Sequence, residues 1–481
     1  MAQTSIKKNY IYNTLYQVLS LITPLITAPY ISRVLGSNGV GIYSYTNSIA
    51  TYFILFASLG TASYGQREIA MHRDDAEISS KLFWEIEILS FATTLISLTV
   101  WMFWIFISTQ YTEFYGVLTL SVLAVAFDIS WYFGGFEKFK YIVIRNTLVK
   151  LLGIILLFFF VKHDTDVILY IGIMSATGLI GNLSMWTYLP KLLTKINFRT
   201  LHPFRIHLRQ TFAYFIPTIA TSVYTVLDKT MIGAITNSEE LNGYYEQATK
   251  IIRMVESLLF SFNTVMVSRQ SYLFASGKMN EIKDKINKSF EFLFTLAIPC
   301  MFGIWGTAKN FVPWFFGRGY ESVVMLLYLM SPLPLVICVS NILGSQYLTP
   351  SGQRARSSKG IIAGAMTNFV LNLALIYKWG ANGATIASLA AECVITTIYV
   401  HMSKGFVSWS QIWSIAQKKL LAGLVMFIAL FFVGRSYYGS IGISIAQVIL
   451  GAIVYTIMLI MFRDKFILDI LTSIKERDKN G

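Results

Sequence analysis

Ionisable side chains are scarce in this chain. Asp, Glu, Lys and Arg make up 13% of 481 residues, about half the share of an ordinary soluble domain, while 55% are hydrophobic and mean hydropathy is +0.57. That balance excludes a soluble globular protein and leaves an integral membrane protein. Cysteine is nearly absent. Cys300, Cys338 and Cys393 are an odd set without a CxxC, which indicates neither a disulfide framework nor a zinc site, and their apolar surroundings make them expected core residues. The five histidines, His72, His163, His202, His207 and His401, lie in or near loops without metal spacing. No GxxxxGK[ST], GxSxG or HExxH occurs, so neither a catalytic residue nor a metal or cofactor is expected, and the protein is not read as an enzyme. Asp164-Thr165-Asp166 resembles the DxD of glycosyltransferases, but it sits in a short turn and reads as a polar turn. Alternating short strands with regular turn signals are also missing, which excludes an outer-membrane barrel.

Long apolar runs are present instead, and only helices satisfy their own backbone in lipid. Fourteen spans are expected, over residues 10–34, 40–64, 82–107, 115–135, 141–161, 167–189, 210–235, 242–268, 289–312, 321–348, 360–377, 382–402, 419–434 and 441–462. Residues 1–9 are polar and the first apolar run is too long for a signal-peptide core, so no cleavage is expected. With both termini on one side, 29 of the 39 Lys and Arg residues fall on that side and 6 on the other, which makes the termini cytoplasmic. The net charge of +14 is therefore a topology signal, and no nucleic-acid partner is expected.

Residues 10–67 read as two spans joined by a tight glycine turn, and the arrangement returns about two hundred residues later. The first span carries Pro24 and Pro29 and is expected to bend; its turn comprises Gly36, Ser37, Asn38 and Gly39. The later copy, interrupted at Pro217, reaches Gly233, turns, and reopens at Gly243-Tyr244-Tyr245. Tyr43 to Arg67 and Tyr245 to Arg269 are both 24 residues apart. The fold expected is thus all-α, with two six-helix bundles related by a pseudo-twofold axis along the membrane normal plus two C-terminal helices. The domains expected are residues 1–207, a six-helix lobe with a cytoplasmic linker, 208–403, a second six-helix lobe, and 404–481. This last part would hold an interfacial helix over 408–419, spans 13 and 14, and an amphipathic tail over 464–479.

Charges inside a bilayer are costly and usually face a cavity or a partner. Lys150 lies nine residues into its span, roughly 13 Å by helical rise. Asp228, Lys229, Lys250 and Arg253 lie toward the outer ends of their spans, as does Arg33, with Asp128, Glu246, Glu256 and Glu392 as acidic counterparts. Self-pairing competes on the eighth span, because Glu246 to Lys250 and Arg253 to Glu256 are helical neighbours. Lys150 and Arg33 have no acidic residue within a turn in sequence, and a cationic cavity for an anionic ligand is expected there.

The run TPLITAPYISRVLG over 23–36, GVGIY over 39–43, LDKTMIG over 227–233 and Gly243-Tyr244-Tyr245 resemble the Wzx-type polysaccharide flippases of the multidrug/oligosaccharidyl-lipid/polysaccharide exporter superfamily. The resemblance covers nearly the whole chain. It implies fourteen helices in two bundles around a central cavity, alternating access, and a location in the bacterial cytoplasmic membrane. The substrate implied is an oligosaccharide on polyprenyl pyrophosphate, moved from the cytoplasmic to the outer leaflet for capsule, exopolysaccharide or O-antigen. Arg33, Lys150, Asp228, Lys229, Lys250 and Arg253 would line the substrate cavity. Implied partners are membrane lipids, the polysaccharide polymerase and the chain-length machinery. A drug or cation antiporter of the same superfamily is the alternative, and would want a carboxylate-dominated cavity. A membrane polymerase would need a long outward catalytic loop, which the sequence lacks.

Overall fold

A computed structural model describes residues 6–435, 439–470 and 472. Its described residues contain helices and no strands, and ten helical stretches are long and apolar enough to cross a membrane. The chain divides into two compact units, Met1–Gly243 and Tyr244–Gly481.

The first unit opens with α1, Ile6–Ser58, whose only non-helical residue is Gly36 at φ 66° and ψ −178°. Gly36 is a reversal. Tyr30 before it donates to the Val161 carbonyl (2.6 Å), while Tyr43 after it packs edge-on against Tyr170 at 4.9 Å. Both arms thus meet at the turn between α6, Phe139–Phe160, and α7, Val167–Met185. The turn is shorter than expected, because Ser37 to Gly39 already belong to the second arm. Only glycine readily adopts those angles, so a single residue suffices. Pro24 and Pro29 lie inside the first arm without a break.

The second arm stops at Ser58, not near 64 as the apolar pattern suggested. Leu59 and Gly60 take positive φ (41° and 75°), and a new helix, α2 (Thr61–Met71), starts. A Cβ at Gly60 would stand 2.8 Å from the Phe215 amide nitrogen, so the turn also admits α8, Pro203–Thr236. That helix runs without the interruption expected at Pro217. Next along the chain, α3 spans Ala76–Ile107 and is capped by Asp75, whose side chain accepts from the Glu77 and Ile78 amides, a cap worth about 1 kcal/mol. Its Thr93 and Ser97 hydroxyls donate to the Ala57 and Phe53 carbonyls (2.6 and 2.7 Å), fixing it on the second arm of α1. The span expected over 115–135 is broken into α4 (Thr112–Leu123), a 3-10 turn and α5 (Ser130–Gly135). Asp128 makes the break: its carboxylate accepts the Ser130 amide (3.0 Å). The buried core of this unit includes Leu35, Ile49, Trp101, Tyr115 and Ile171.

Near the end of the unit two helix starts meet backbone to backbone. A Cβ at Gly41 would lie 1.8 Å from the Glu239 carbonyl oxygen, and one at Gly243 would lie 2.1 Å from the Ser37 carbonyl oxygen. The contact is reciprocal, each helix offering one glycine and one carbonyl.

The second unit contains most of α9, Glu239–Ala275, followed by α10, Met279–Phe316. The span expected over 321–348 is three pieces, α11 (Ser322–Met330), α12 (Leu333–Asn341) and a π-helical turn, Ile342–Leu348. Then α13, Arg354–Met402, repeats the one-residue reversal at Gly380 (φ 54°, ψ −131°). Its arms pair antiparallel: Gly360 admits Tyr399, Gly364 admits Ile395, and Asn368 donates to Ser388 (3.1 Å). The separate surface helix expected over 408–419 is instead the first turns of α14, Trp409–Arg435. No proline or left-handed residue interrupts it, and Lys419 is buried in an ion pair with Asp464 (2.6 Å). The last span is α15, Ile441–Met461. Of the expected amphipathic tail, residues 465–470 are helical; 471 and 473–479 lie outside the described residues. Cys338 is buried as expected, Cys300 is half-buried, and Cys393 is exposed, contrary to a core role.

Candidate functional site

On one face of α6, Arg145, Asn146 and Lys150 recur at helical spacing with Val149. This face looks onto Ser175, Gly178 and Asn182 of α7 and Ser121 at the end of α4, and the space between is a pocket of about 300 Å³. The two helices come close because Gly181 carries no side chain: a Cβ there would stand 2.5 Å from Val149 Cγ2. Asn182 is a bridge. Its amide nitrogen donates to the Ala124 carbonyl (2.7 Å), which leaves its oxygen to accept from the Arg145 guanidinium. The guanidinium is thereby oriented, yet its Nε is buried without a hydrogen-bond partner. Lys150 Nζ donates to Ser20 Oγ of α1 at 2.5 Å, and Ser121 donates to Ser175 (2.8 Å). Among the described residues no carboxylate lines the pocket.

Two cations, an amide and hydroxyls converge on this small space, donors of the kind an anionic oxygen accepts. A buried donor without an acceptor costs roughly 1–3 kcal/mol, more when charged, and a phosphoryl oxygen would relieve that cost with charge-assisted bonds.

The structure distributes the six residues singled out in the sequence as follows. Lys150 is in this pocket; Arg33, Asp228 and Lys229 belong to the same unit but do not line it. Arg33 is exposed beside the Gly36 reversal, whereas Asp228 is 3% exposed. The backbone carbonyl of Lys229 accepts the Asn242 side-chain amide (2.8 Å), tying α8 to the start of α9. Lys250 and Arg253 are in the second unit. There Lys250 pairs with Glu246 at 3.4 Å, which is the self-pairing that helical spacing allows.

Sequence reasoning missed Arg145, counting it among cytoplasmic loop charges. The signal was present, because Arg145 lies inside the span expected over 141–161, five residues before Lys150. It also missed His207, which is buried, not loop-like: Glu85 meets Nε2 (2.9 Å) and the Tyr64 hydroxyl meets Nδ1 (2.8 Å). The turn reading of residues 164–166 agrees with the geometry. The Asp166 carboxylate accepts the Lys162 and His163 amides (both 2.8 Å), and these bonds hold its pKa below the usual carboxylate value.

Comparison with known proteins places this architecture. The family model described as polysaccharide biosynthesis protein matches residues 6–268. A relative named "Putative O-antigen transporter" from Escherichia coli (strain K12) is 26% identical over 410 residues, covering 82% of this chain and 95% of that one. "Probable low-salt glycan biosynthesis flippase Agl15" from Haloferax volcanii is 24% identical over 244 residues, covering 48% of this chain and 51% of its own. Among solved structures, the inward closed conformation of the lipid II flippase MurJ superposes with a TM-score of 0.74 at 16% identity, covering 95% of this chain and 99% of that chain. An inward-facing multidrug resistance MATE family transporter gives 0.58 at 11% identity, covering 85% and 98%. The fold is therefore the one these transporters share. The family match spans more than half of the chain and contains all the residues that carried the resemblance in the sequence, so this protein belongs to the polysaccharide biosynthesis protein family.

Proposed function

We propose that this protein is a flippase that moves a polyprenyl-pyrophosphate-linked oligosaccharide from the cytoplasmic to the outer leaflet of a bacterial cytoplasmic membrane. The oligosaccharide would supply capsule, exopolysaccharide or O-antigen assembly, with the polymerase and chain-length machinery as downstream partners. The reading includes fourteen spans: the ten apolar stretches, two of them hairpins, together with α8 and α9. Both termini are cytoplasmic in it, and two lobes alternate in access around a cationic cavity. Family membership and the transporter relatives support the class. The observation that carries the anionic head group is the Arg145 and Lys150 pocket, where the Arg145 Nε is buried without a hydrogen-bond partner. A cation antiporter would use carboxylates at such a place, and none lines it among the described residues.

The test is Lys150→Ala beside Lys150→Arg, with membrane abundance and export of surface polysaccharide measured together in a strain lacking the native gene. Normal abundance with lost export in Lys150→Ala, and partial export in Lys150→Arg, is the expected result. Normal abundance with normal export rules out the reading. Low abundance with proportionally low export makes Lys150 a structural residue.

A further inference from the structure

A second cavity in the first unit has different chemistry. It measures about 430 Å³, within the range of small-molecule sites, and sits where α8 ends and α9 begins. Tyr45 of α1 and Tyr111 before α4 supply two rings, edge to face at 5.7 Å. Gln110, Asn237, Glu239 and Asn242 supply amides and a carboxylate. The arrangement is built. Tyr111 takes a left-handed backbone (φ 59°), unusual for an aromatic residue, and its hydroxyl donates to Glu239 Oε1 at 2.8 Å. Gly233 makes room for the other ring, since a Cβ there would stand 2.2 Å from Tyr45 Cδ2.

No Lys or Arg lines this cavity among the described residues, so it does not suit pyrophosphate. Its polar lining does not suit a polyprenyl chain. Its single carboxylate is already engaged by Tyr111, so a metal cation finds no ligand set. Planar amides that donate and accept side by side match the adjacent hydroxyls of a sugar. Aromatic faces, electron-rich at the centre, match its axial C–H groups.

We propose that this cavity is a saccharide subsite that holds a neutral sugar ring of the substrate, with Tyr45 and Tyr111 as platforms and the exposed Gln110 and Asn237 as hydroxyl partners. The proposal rests on the flippase reading above and adds to it where the sugar is recognised, apart from the charged head group. The subsite and the anion pocket share no lining residue, so they are separable by mutation.

The test uses the purified full chain in nanodiscs and a panel of methyl hexosides and methyl N-acetylhexosaminides, read by saturation-transfer NMR. At least one neutral sugar should show saturation transfer in the wild type, and the signal should survive excess inorganic pyrophosphate and the Lys150→Ala substitution. Gln110→Ala, at an exposed position, should weaken apparent affinity at least tenfold with an unchanged melting temperature. Tyr111→Ala should abolish the signal, and Tyr111→Phe, which keeps the ring, should restore most of it. No saturation transfer to any sugar, or an unchanged signal in both Gln110→Ala and Tyr111→Ala, overturns the subsite. Those results leave the Lys150 export phenotype untouched, so the subsite falls without the flippase reading. Loss of the export phenotype with sugar binding intact does the reverse.

Discussion

Adding one methyl group at Gly41 or Gly243 sets two effects of opposite sign against each other. Both glycines lie inside helices and neither has positive φ, so alanine should stabilise each helix by about 1 kcal/mol. The methyl carbon would, however, stand 1.8 Å from the Glu239 oxygen or 2.1 Å from the Ser37 oxygen. A carbon keeps about 3.3 Å from an oxygen even in a close C–H contact. The two helix starts would therefore have to part by about 1.5 Å in the first case and 1.2 Å in the second. Backbone oxygens cannot rotate aside as a side chain does, and such overpacking costs about 1–3 kcal/mol. On the alternating access proposed above, if this contact holds one of the two states, the population of that state falls roughly 5- to 150-fold. The assay is labelling of a Ser44→Cys reporter, buried beside the contact, by a membrane-impermeant maleimide in intact cells, with abundance and export measured in parallel. Gly41→Ala and Gly243→Ala should each raise the labelling rate and lower export at undiminished abundance, and the double variant should do so more. Unchanged labelling and export in the double variant would refute the idea that the contact opens during transport. A fall in abundance would show that the contact is needed to fold.

Three further outcomes follow from the same geometry. Lys419→Ala strands the buried Asp464 carboxylate and should cost about 3–5 kcal/mol, read as a lower melting temperature, while Lys419→Met with Asp464→Leu should recover most of it; equal losses in both would argue against a buried pair. Gly36→Ala forces a non-glycine residue into a nearly forbidden region and should cost about 1–3 kcal/mol, with reduced membrane abundance as the measurement and wild-type abundance as the contrary result. At the turn before α7, the Asp166 carboxylate is stabilised ionised. Its contribution is present above the ordinary carboxylate range and is lost as pH falls through its lowered pKa. Amide exchange at Lys162 and His163 should accelerate over that acid window in the wild type and be insensitive to pH-driven loss of the carboxylate in Asp166→Asn.

Helix positions were legible because a bilayer demands long apolar runs, and among the described residues ten helical stretches are long and apolar enough to cross one. Interruptions were harder to read. Leu59 carries no turn signal, and neither proline nor glycine announces the break around Asp128, whose carboxylate accepts the Ser130 amide where α5 begins. Pro24 and Pro29, strong breakers in water, stay inside a helix. The site was half legible. Lys150 stood out because a lone cation in an apolar run has no cheap explanation. Arg145 did not, because a charge near a span end is ordinary, and only the packing of α6 against Gly181 turns it inward. Tyr45 and Tyr111 were invisible as a pair, since 66 residues separate them and tyrosines abound in this chain.

The hairpins at Gly36 and Gly380 bear on how the protein is made. With one residue between arms there is no loop to be threaded across the bilayer by itself, and neither arm can settle while the other waits in water with its turn exposed. The two arms of each hairpin have to leave the translocon as a pair, some fifty residues at a time. A ribosome that pauses between them holds a first arm whose partner does not yet exist and whose glycine permits the reversal without holding it. Synthesis speed across residues 36–58 and 380–402 is then part of the folding of this protein, and slow codons should be better tolerated after each hairpin than inside it.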